Sequence, residues 1–306
     1  MGSTHDYEID ARNENIMIYI DGQFFHRSDA KVSVMDSGYL LGDGVWEGIR
    51  LYNGTLMHID KHLDRLYNGA KAIEMDIQLS KKQMQSAIRA TIEKNAMLSD
   101  VHIRLIVSRG IKKTPYQDPK VTIGEPTIVI IPEYKKASEA VKLNGITLGT
   151  VKTIRDNRTQ DPRINSLSKH NCIAACIEAG KMGVDEGLML DPNGNVSTCN
   201  STNFFIVRNQ EVWTSTGEYC LNGVTRSNVI DLCNKNNVEI FERDFLLSDV
   251  HSANEVFVTG TFAGIIPVIS VDGKMIGDGT RGHLTKKLQE WYALDIERLS
   301  RQEGQK

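Results

Sequence analysis

Two dipeptides of the tight-turn type, Asp21-Gly22 and Asn53-Gly54, do most to restrict what this chain can fold into. The first follows an alternating run at residues 16–20 and signals a β-hairpin, and the second ends a strand candidate at residues 45–52. The period then changes. Ile59, Leu63, Leu66, Ala70 and Ile73 recur at helical spacing. Ser80 stands where a helix cap is wanted, before Met84, Ala87, Ile88 and Ile92 on one face. Residues 101–108 and 127–131 read as buried strands. The first half is therefore α+β with an antiparallel start.

Residues 133–140 are charged and lack a period, which predicts a link between domains. The second half opens with a strand at residues 146–154, followed by a polar loop at 155–163 and a helix from about Ser168 to Met182. Short strands then alternate with turns, a helix runs from Thr225 to about Lys235, and a final helix starts near Thr280. The expected division is a leader at 1–15, a smaller N-terminal α/β domain at 16–133, a linker at 134–140 and a larger C-terminal domain at 141–306.

Bulk chemistry narrows the partners. The 306 residues suffice for two domains with real cores. A net charge of -3 argues against nucleic-acid or anionic-membrane binding. No apolar run approaches the roughly 20 residues that cross a bilayer. The polar leader, expected to be loosely packed, does not read as a secretory signal. The five cysteines form an odd set, so reduced thiols in a cytoplasmic protein are expected. Cys172 and Cys176 lie one helical turn apart with no nearby residue to complete a zinc set, and core packing is the reading for them. No metal is expected.

Four features can carry chemistry. Asn222-Gly223-Val224-Thr225-Arg226 directly precedes a helix. Its first amides point at solvent or an anion, so it reads either as a phosphate seat or as plain capping by Thr225. Val258-Thr259-Gly260-Thr261-Phe262-Ala263-Gly264 is a hydroxyl-bearing turn after a strand. It reads either as an anion contact or as an ordinary corner. Arg65 alone reads as a solvated helix charge. Arg104 and Arg109 stand five apart and point to opposite faces of a regular strand, so one could bind a carboxylate while the other pairs structurally, and either one alone reads as a structural pair.

Taken in order along residues 16–297, these features resemble the fold type IV pyridoxal-phosphate enzymes, the class IV aminotransferases of branched-chain and D-amino-acid type. Gly42-Asp43-Gly44-Val45-Trp46-Glu47-Gly48-Ile49-Arg50 resembles the family's early strand, and Gly223-Val224-Thr225-Arg226 its phosphate loop. Ile266-Pro267-Val268 through Val271-Asp272-Gly273 is similar to its closing hairpin. The resemblance implies a two-domain D-amino-acid aminotransferase-like fold, α/β (α+β), with the cofactor in the interdomain cleft. It also implies a homodimer, and amino-group transfer between an amino acid, branched-chain-like, and a 2-oxo acid. Pyridoxal 5'-phosphate would be held by Arg65, Asn203, Val224, Thr225, Gly260 and Thr261. Trp46, His102, Arg104, Arg109 and Phe262 would line the substrate site.

The resemblance breaks at two positions. In the family a lysine forms the Schiff base with the cofactor, in an Ile-Lys-Ser-Leu-Asn segment. Here the segment is Arg163-Ile164-Asn165-Ser166-Leu167-Ser168-Lys169, which puts Asn165 at the lysine position. Asn forms no imine, so Lys169 is expected to supply the amine. The family also sets a glutamate against the ring nitrogen, and Thr198 stands there instead. A hydroxyl does not favour protonation of that nitrogen, which weakens the ring as an electron sink. Two other readings stay open: a lyase of the same fold, and a non-catalytic protein that keeps the phosphate seat.

Overall fold

In the computed structural model, which describes Thr4 and residues 7–303, Asp21 and Gly22 have φ of 45° and 87°. This is the pair of left-handed residues that a two-residue hairpin turn requires. The turn joins β1 (Met17–Ile20) to β2 (Gln23–His26). After α1 (Ser37–Leu41), Asn53 and Gly54 repeat the device, with φ of 46° and 77°, between β3 (Gly44–Tyr52) and β4 (Thr55–Leu56). Helices α2 (Ile59–Ala72) and α3 (Lys81–Lys94) follow, and α3 starts in a reciprocal capping box between Ser80 and Gln83. Strands β5 (Val101–Ser108), β6 (Ile111–Lys112), β7 (Thr122–Ile123) and β8 (Thr127–Tyr134) complete this part.

The chain divides into two compact units. The N-terminal unit holds Glu8–Lys136, Ile164–Lys169 and the stretch from Leu299 on. Its sheet runs β2-β1-β8-β5-β3-β4, all antiparallel. Period-2 alternation sends Val101, Ile103, Leu105 and Val107 into a core with Leu63, Leu66, Met84 and Ile88 of the helices. His102, Arg104 and Ile106 therefore share the opposite, half-exposed face.

Two expectations change here. The sequence predicts a single cut at 134–140, but Tyr134 ends β8, and residues 164–169 return to the N-terminal unit. The reason lies in β3. It is nine residues long, and β4 pairs only its end at Leu51 and Tyr52. The other end keeps an open edge, which the returning segment fills: Trp46 N donates to Asn165 O at 3.0 Å and Leu167 N to Gly44 O at 2.9 Å. The leader also differs from the loosely packed segment expected. Ala11–Asn15 forms a 3-10 turn capped by Asp10. Asn13 is buried, with its side chain bonded both to Tyr134 O and from Tyr134 N at 2.8 Å. Residues 1–3 and 5–6 of the leader lie outside the described residues.

The C-terminal unit holds Ala137–Arg163 and His170–Arg298, with Thr4 and Tyr7. It begins with α4 (Glu139–Asn144), β9 (Ile146–Thr150) and α5 (His170–Met182). Next come β10 (Glu186–Leu190), β11 (Val196–Cys199), β12 (Asn203–Arg208), β13 (Glu211–Thr214) and α6 (Val224–Lys235). The last elements are β14 (Ile240–Glu242), α7 (Leu247–His251), β15 (Glu255–Gly260), β16 (Gly264–Val271), β17 (Lys274–Met275) and α8 (His283–Glu303). The sheet order is β11-β10-β9-β16-β15-β12-β13-β14, with β17 on β16. The mixture is set by the connections. β9 pairs parallel with β10, across the α5 crossover, and with β16, while the hairpin neighbours are antiparallel. Helix α5 starts at His170, two residues later than the sequence predicts, so Lys169 precedes the helix.

Candidate active site

In the N-terminal unit the site grows from the pleat of β3. Neighbouring strand residues point to opposite faces, so Glu47 turns into the core while Trp46 and Gly48 face the other way. Glu47 is buried against α2, where His62 and Arg65, three residues apart, share one helical face. Its Oε2 lies 2.7 Å from His62 Nδ1, and Arg65 grips both oxygens, Nε to Oε1 and Nη2 to Oε2, each at 2.7 Å. Burial alone would raise the Glu47 carboxyl, but the Arg65 guanidinium and His62 outweigh it and hold it below the usual range. Arg65 is thus no solvated helix charge. It is oriented from behind by a carboxylate, a bidentate arrangement that fixes the guanidinium plane.

On the other face, the guanidinium of Arg104 lies 3.7 Å from the centre of the Trp46 ring. His102 rests over Gly48, where a Cβ would meet its Nε2 at 2.9 Å, so a larger residue there would shift the ring. Burial draws the Arg104 guanidinium below its ordinary pKa, and Glu133 and Glu47 act against the shift. Arginine stays charged under any such shift, so Arg104 presents a cation beside the Trp46 ring. Arg109 takes the other role left open for the two arginines. Its guanidinium bonds Asp43 through Nε and Nη2 at 2.7 and 3.1 Å. It also bonds the carbonyls of Glu74 and Ile73 at 3.0 and 2.8 Å. This ties the end of β5 to the end of α2, so the structure gives Arg109 the pairing role of the two.

The returning segment adds the amine. Lys169 Nζ donates to Asn165 Oδ1 at 3.1 Å and lies 5.4 Å from the centre of the Trp46 ring.

In the C-terminal unit the two glycine-bearing turns are tied together by one side chain. Asn203 pairs with Thr259 across β12 and β15, one residue before Gly260-Thr261. Its carboxamide donates to Leu221 O at 2.8 Å and packs on Gly223, where a Cβ would fall 2.2 Å from its Oδ1. Gly223 is the N-cap of α6 and, having no side chain, makes no side-chain cap hydrogen bond. The buried Oγ1 of Thr259 has no hydrogen-bond partner. A helix N-terminus opened by glycine and a buried hydroxyl without a partner lie within this unit, and an anionic group is the kind of ligand such groups satisfy.

Thr198 is buried in β11, and its hydroxyl donates to Thr202 O at 2.7 Å. Its proton is thereby committed, and what the oxygen still offers is a lone pair. Phe262 is buried with Ala263 in the core of the C-terminal unit, in one cluster with Val258 and Ile266. Among the described residues no His, Cys, Asp or Glu group is arranged to hold a metal.

The mixed α+β fold in two units is the one shared by the class IV aminotransferases. The sequence profile of "Amino-transferase class IV" matches residues 44–271, and the chain belongs to that family. It is 40% identical over 279 residues to a putative branched-chain-amino-acid aminotransferase of Methanocaldococcus jannaschii, covering 90% of this chain and 94% of that one. It is 37% identical over 281 residues to branched-chain-amino-acid aminotransferase-like protein 1 of Arabidopsis thaliana, covering 92% of this chain. The chain spans 50% of that protein's length. The Escherichia coli branched-chain amino acid aminotransferase superposes with a TM-score of 0.84 at 27% identity, over 90% of this chain and 93% of that one. A T.th. branched-chain amino acid aminotransferase solved with pyridoxamine 5'-phosphate gives a TM-score of 0.85 at 26% identity, over 94% of each chain.

Sequence reasoning passed over Glu47 and His62. The His62-Leu63-Asp64-Arg65 spacing was a usable signal, because two donors on one helix face need a shared acceptor once buried. Nothing local named Glu47 as that acceptor, since it lies 15 residues from His62 along the chain.

Proposed function

We propose that the protein is a pyridoxal-phosphate-dependent aminotransferase, moving an amino group between a branched-chain-like amino acid and a 2-oxo acid, with Lys169 as the working amine. The observation that carries this reading is the position of Lys169 Nζ, 3.1 Å from the carboxamide of the residue that stands where the family has its lysine. The amine is moved four residues along the chain and still ends beside the expected place.

The bound cofactor would supply the aldehyde and the electron-withdrawing ring. The amides of Val224 and Thr225 with Thr261 would hold its phosphate, helped by the α6 dipole. In the N-terminal unit Glu47 and His62 fix the direction of Arg65, the cation that the family resemblance assigns to the cofactor phosphate. Thr198 offers a lone pair and no negative charge to the ring nitrogen. Arg104 would receive a substrate carboxylate, with Trp46 and His102 bounding the site. Lys169 Nζ is the group to hold and move the proton at the substrate α-carbon.

A homodimer fits an apolar surface of the N-terminal unit. Val34, Tyr39, Ile111 and Ile123 are exposed, Ile111 pairs with Ile123, and Asp36 bridges Ile111. The cytoplasmic reading rests on the cysteines, all five of them free. No helix among the described residues is long and apolar enough to cross a membrane.

The test is borohydride reduction of the protein with pyridoxal phosphate, followed by peptide mapping, and turnover with and without a 2-oxo acid. Cofactor fixed on Lys169 and turnover that needs the 2-oxo acid are expected. Fixation on another lysine, or full turnover by Lys169→Ala, overturns the assignment. Turnover independent of the 2-oxo acid means a lyase.

A further inference from the structure

Asn165 is more than a lost lysine. It is buried, and three hydrogen bonds fix it to its surroundings. Its carbonyl accepts from Trp46 N at 3.0 Å. Its Nδ2 donates to Trp46 O at 2.8 Å. Its Oδ1 accepts from Lys169 Nζ at 3.1 Å. The first two bonds clamp residue 165 to both polar atoms of one β3 residue, so the carboxamide has no freedom to swing away.

The chemistry of the partners also fixes which way the amide points. The Trp46 carbonyl only accepts, and a lysine ammonium only donates. One orientation satisfies both, with nitrogen on the carbonyl and oxygen on the amine. Asp lacks the donor and would repel the carbonyl. Leu lacks both functions, and Ser is too short to bridge them. A neutral acceptor also differs from a carboxylate in its effect on the amine. A carboxylate stabilises the ammonium and suppresses the nucleophile, whereas a carboxamide orients the nitrogen with far less bias toward the charged form.

We propose that Asn165 is a positioning residue, which holds the Lys169 amine at the place vacated by the family's lysine. The proposal rests on the reading of Lys169 as the working amine. The Asn165–Lys169 pair is then a single device: one residue keeps the backbone position, and the other supplies the nitrogen. The strand edge at Trp46 is the fixed point on which both depend.

Two reactions on the full-length protein separate positioning from general damage. One is trapping of pyridoxal phosphate on Lys169 by borohydride. The other is acylation of Lys169 by acetic anhydride without cofactor, which needs only a neutral, accessible amine. In Asn165→Ser, trapping on Lys169 is expected to fall about tenfold while acylation is not slowed. In Asn165→Asp, acylation is expected to slow by about tenfold at the same pH, the effect of a one-unit rise in the amine's pKa. Thermal unfolding confirms that each variant is folded, and Ser introduces no overlap should Asp fail to fold. Trapping within about twofold of the parent protein in Asn165→Ser, or acylation moving the same way in both variants, overturns the proposal. Failure of the parent protein to be trapped on Lys169 is a separate result, which overturns the choice of amine instead.

Discussion

Glu47→Gln is the most informative single perturbation of the N-terminal unit. The Glu47 carboxylate is fully buried and takes two charge-assisted bonds from Arg65 and one contact from His62, all at 2.7 Å. Gln keeps the volume but removes the charge and turns one acceptor into a donor facing donors. Breaking a buried pair by changing one partner costs about 3–5 kcal/mol. The Arg65 side chain keeps 17% of its exposure, which lets some water in and favours the lower end, about 3 kcal/mol. For a unit of this size that is roughly 6–12 °C in Tm. The pH dependence has a definite sign. The folded carboxyl is held below the 4.5 of an unperturbed group, so its contribution is complete above that value and is lost as pH falls through the folded pKa. Urea unfolding of both proteins at neutral and acid pH measures the gap. It is expected to be wide at pH 7 and to narrow from about pH 4.5 downward. A neutral-pH difference under about 1 kcal/mol, or a gap that does not close in acid, refutes the claim that this pair orients Arg65.

Gly223→Ala places a Cβ 2.2 Å from Asn203 Oδ1. It is expected to cost about 1–3 kcal/mol and to weaken retention of pyridoxal phosphate, measured by absorbance after dialysis. Unchanged retention would show that α6 does not seat the phosphate. Burial pushes the Cys233 thiol up to about 12, and burial with Glu186 nearby holds the Cys199 thiol well above its ordinary value. With Cys220 also buried, Ellman's reagent at pH 8 is expected to label Cys176 and Cys172 in the native protein and the other three only on unfolding. Fast native reaction at Cys233 counts against the packing around it. Val34→Glu with Ile123→Glu puts charge on exposed apolar surface of the N-terminal unit. Sedimentation is expected to show a monomer, and an unchanged dimer would place the interface elsewhere.

The local signals along the chain were legible without a structure because each depends on a few dihedral angles or on one period. The left-handed pairs Asp21-Gly22 and Asn53-Gly54, the Ser80–Gln83 capping box and the helix after Gly223 are of this kind. So are the family resemblance and the absence of its lysine, which are read residue by residue. Contacts between distant segments followed other rules. The sequence marks Asn165 as a substitution, but only the open edge of β3 brings it beside Trp46, 119 residues away, and sets its carboxamide on Lys169. Arg104 and Arg109 are equivalent as letters. Register separated them by placing one over the Trp46 ring and the other on Asp43. Asn13 looked like part of a loose leader until Tyr134 offered it both a donor and an acceptor. In each case the deciding quantity was the pairing of polar groups across a sheet edge or a core, which strand register fixes and local sequence does not encode.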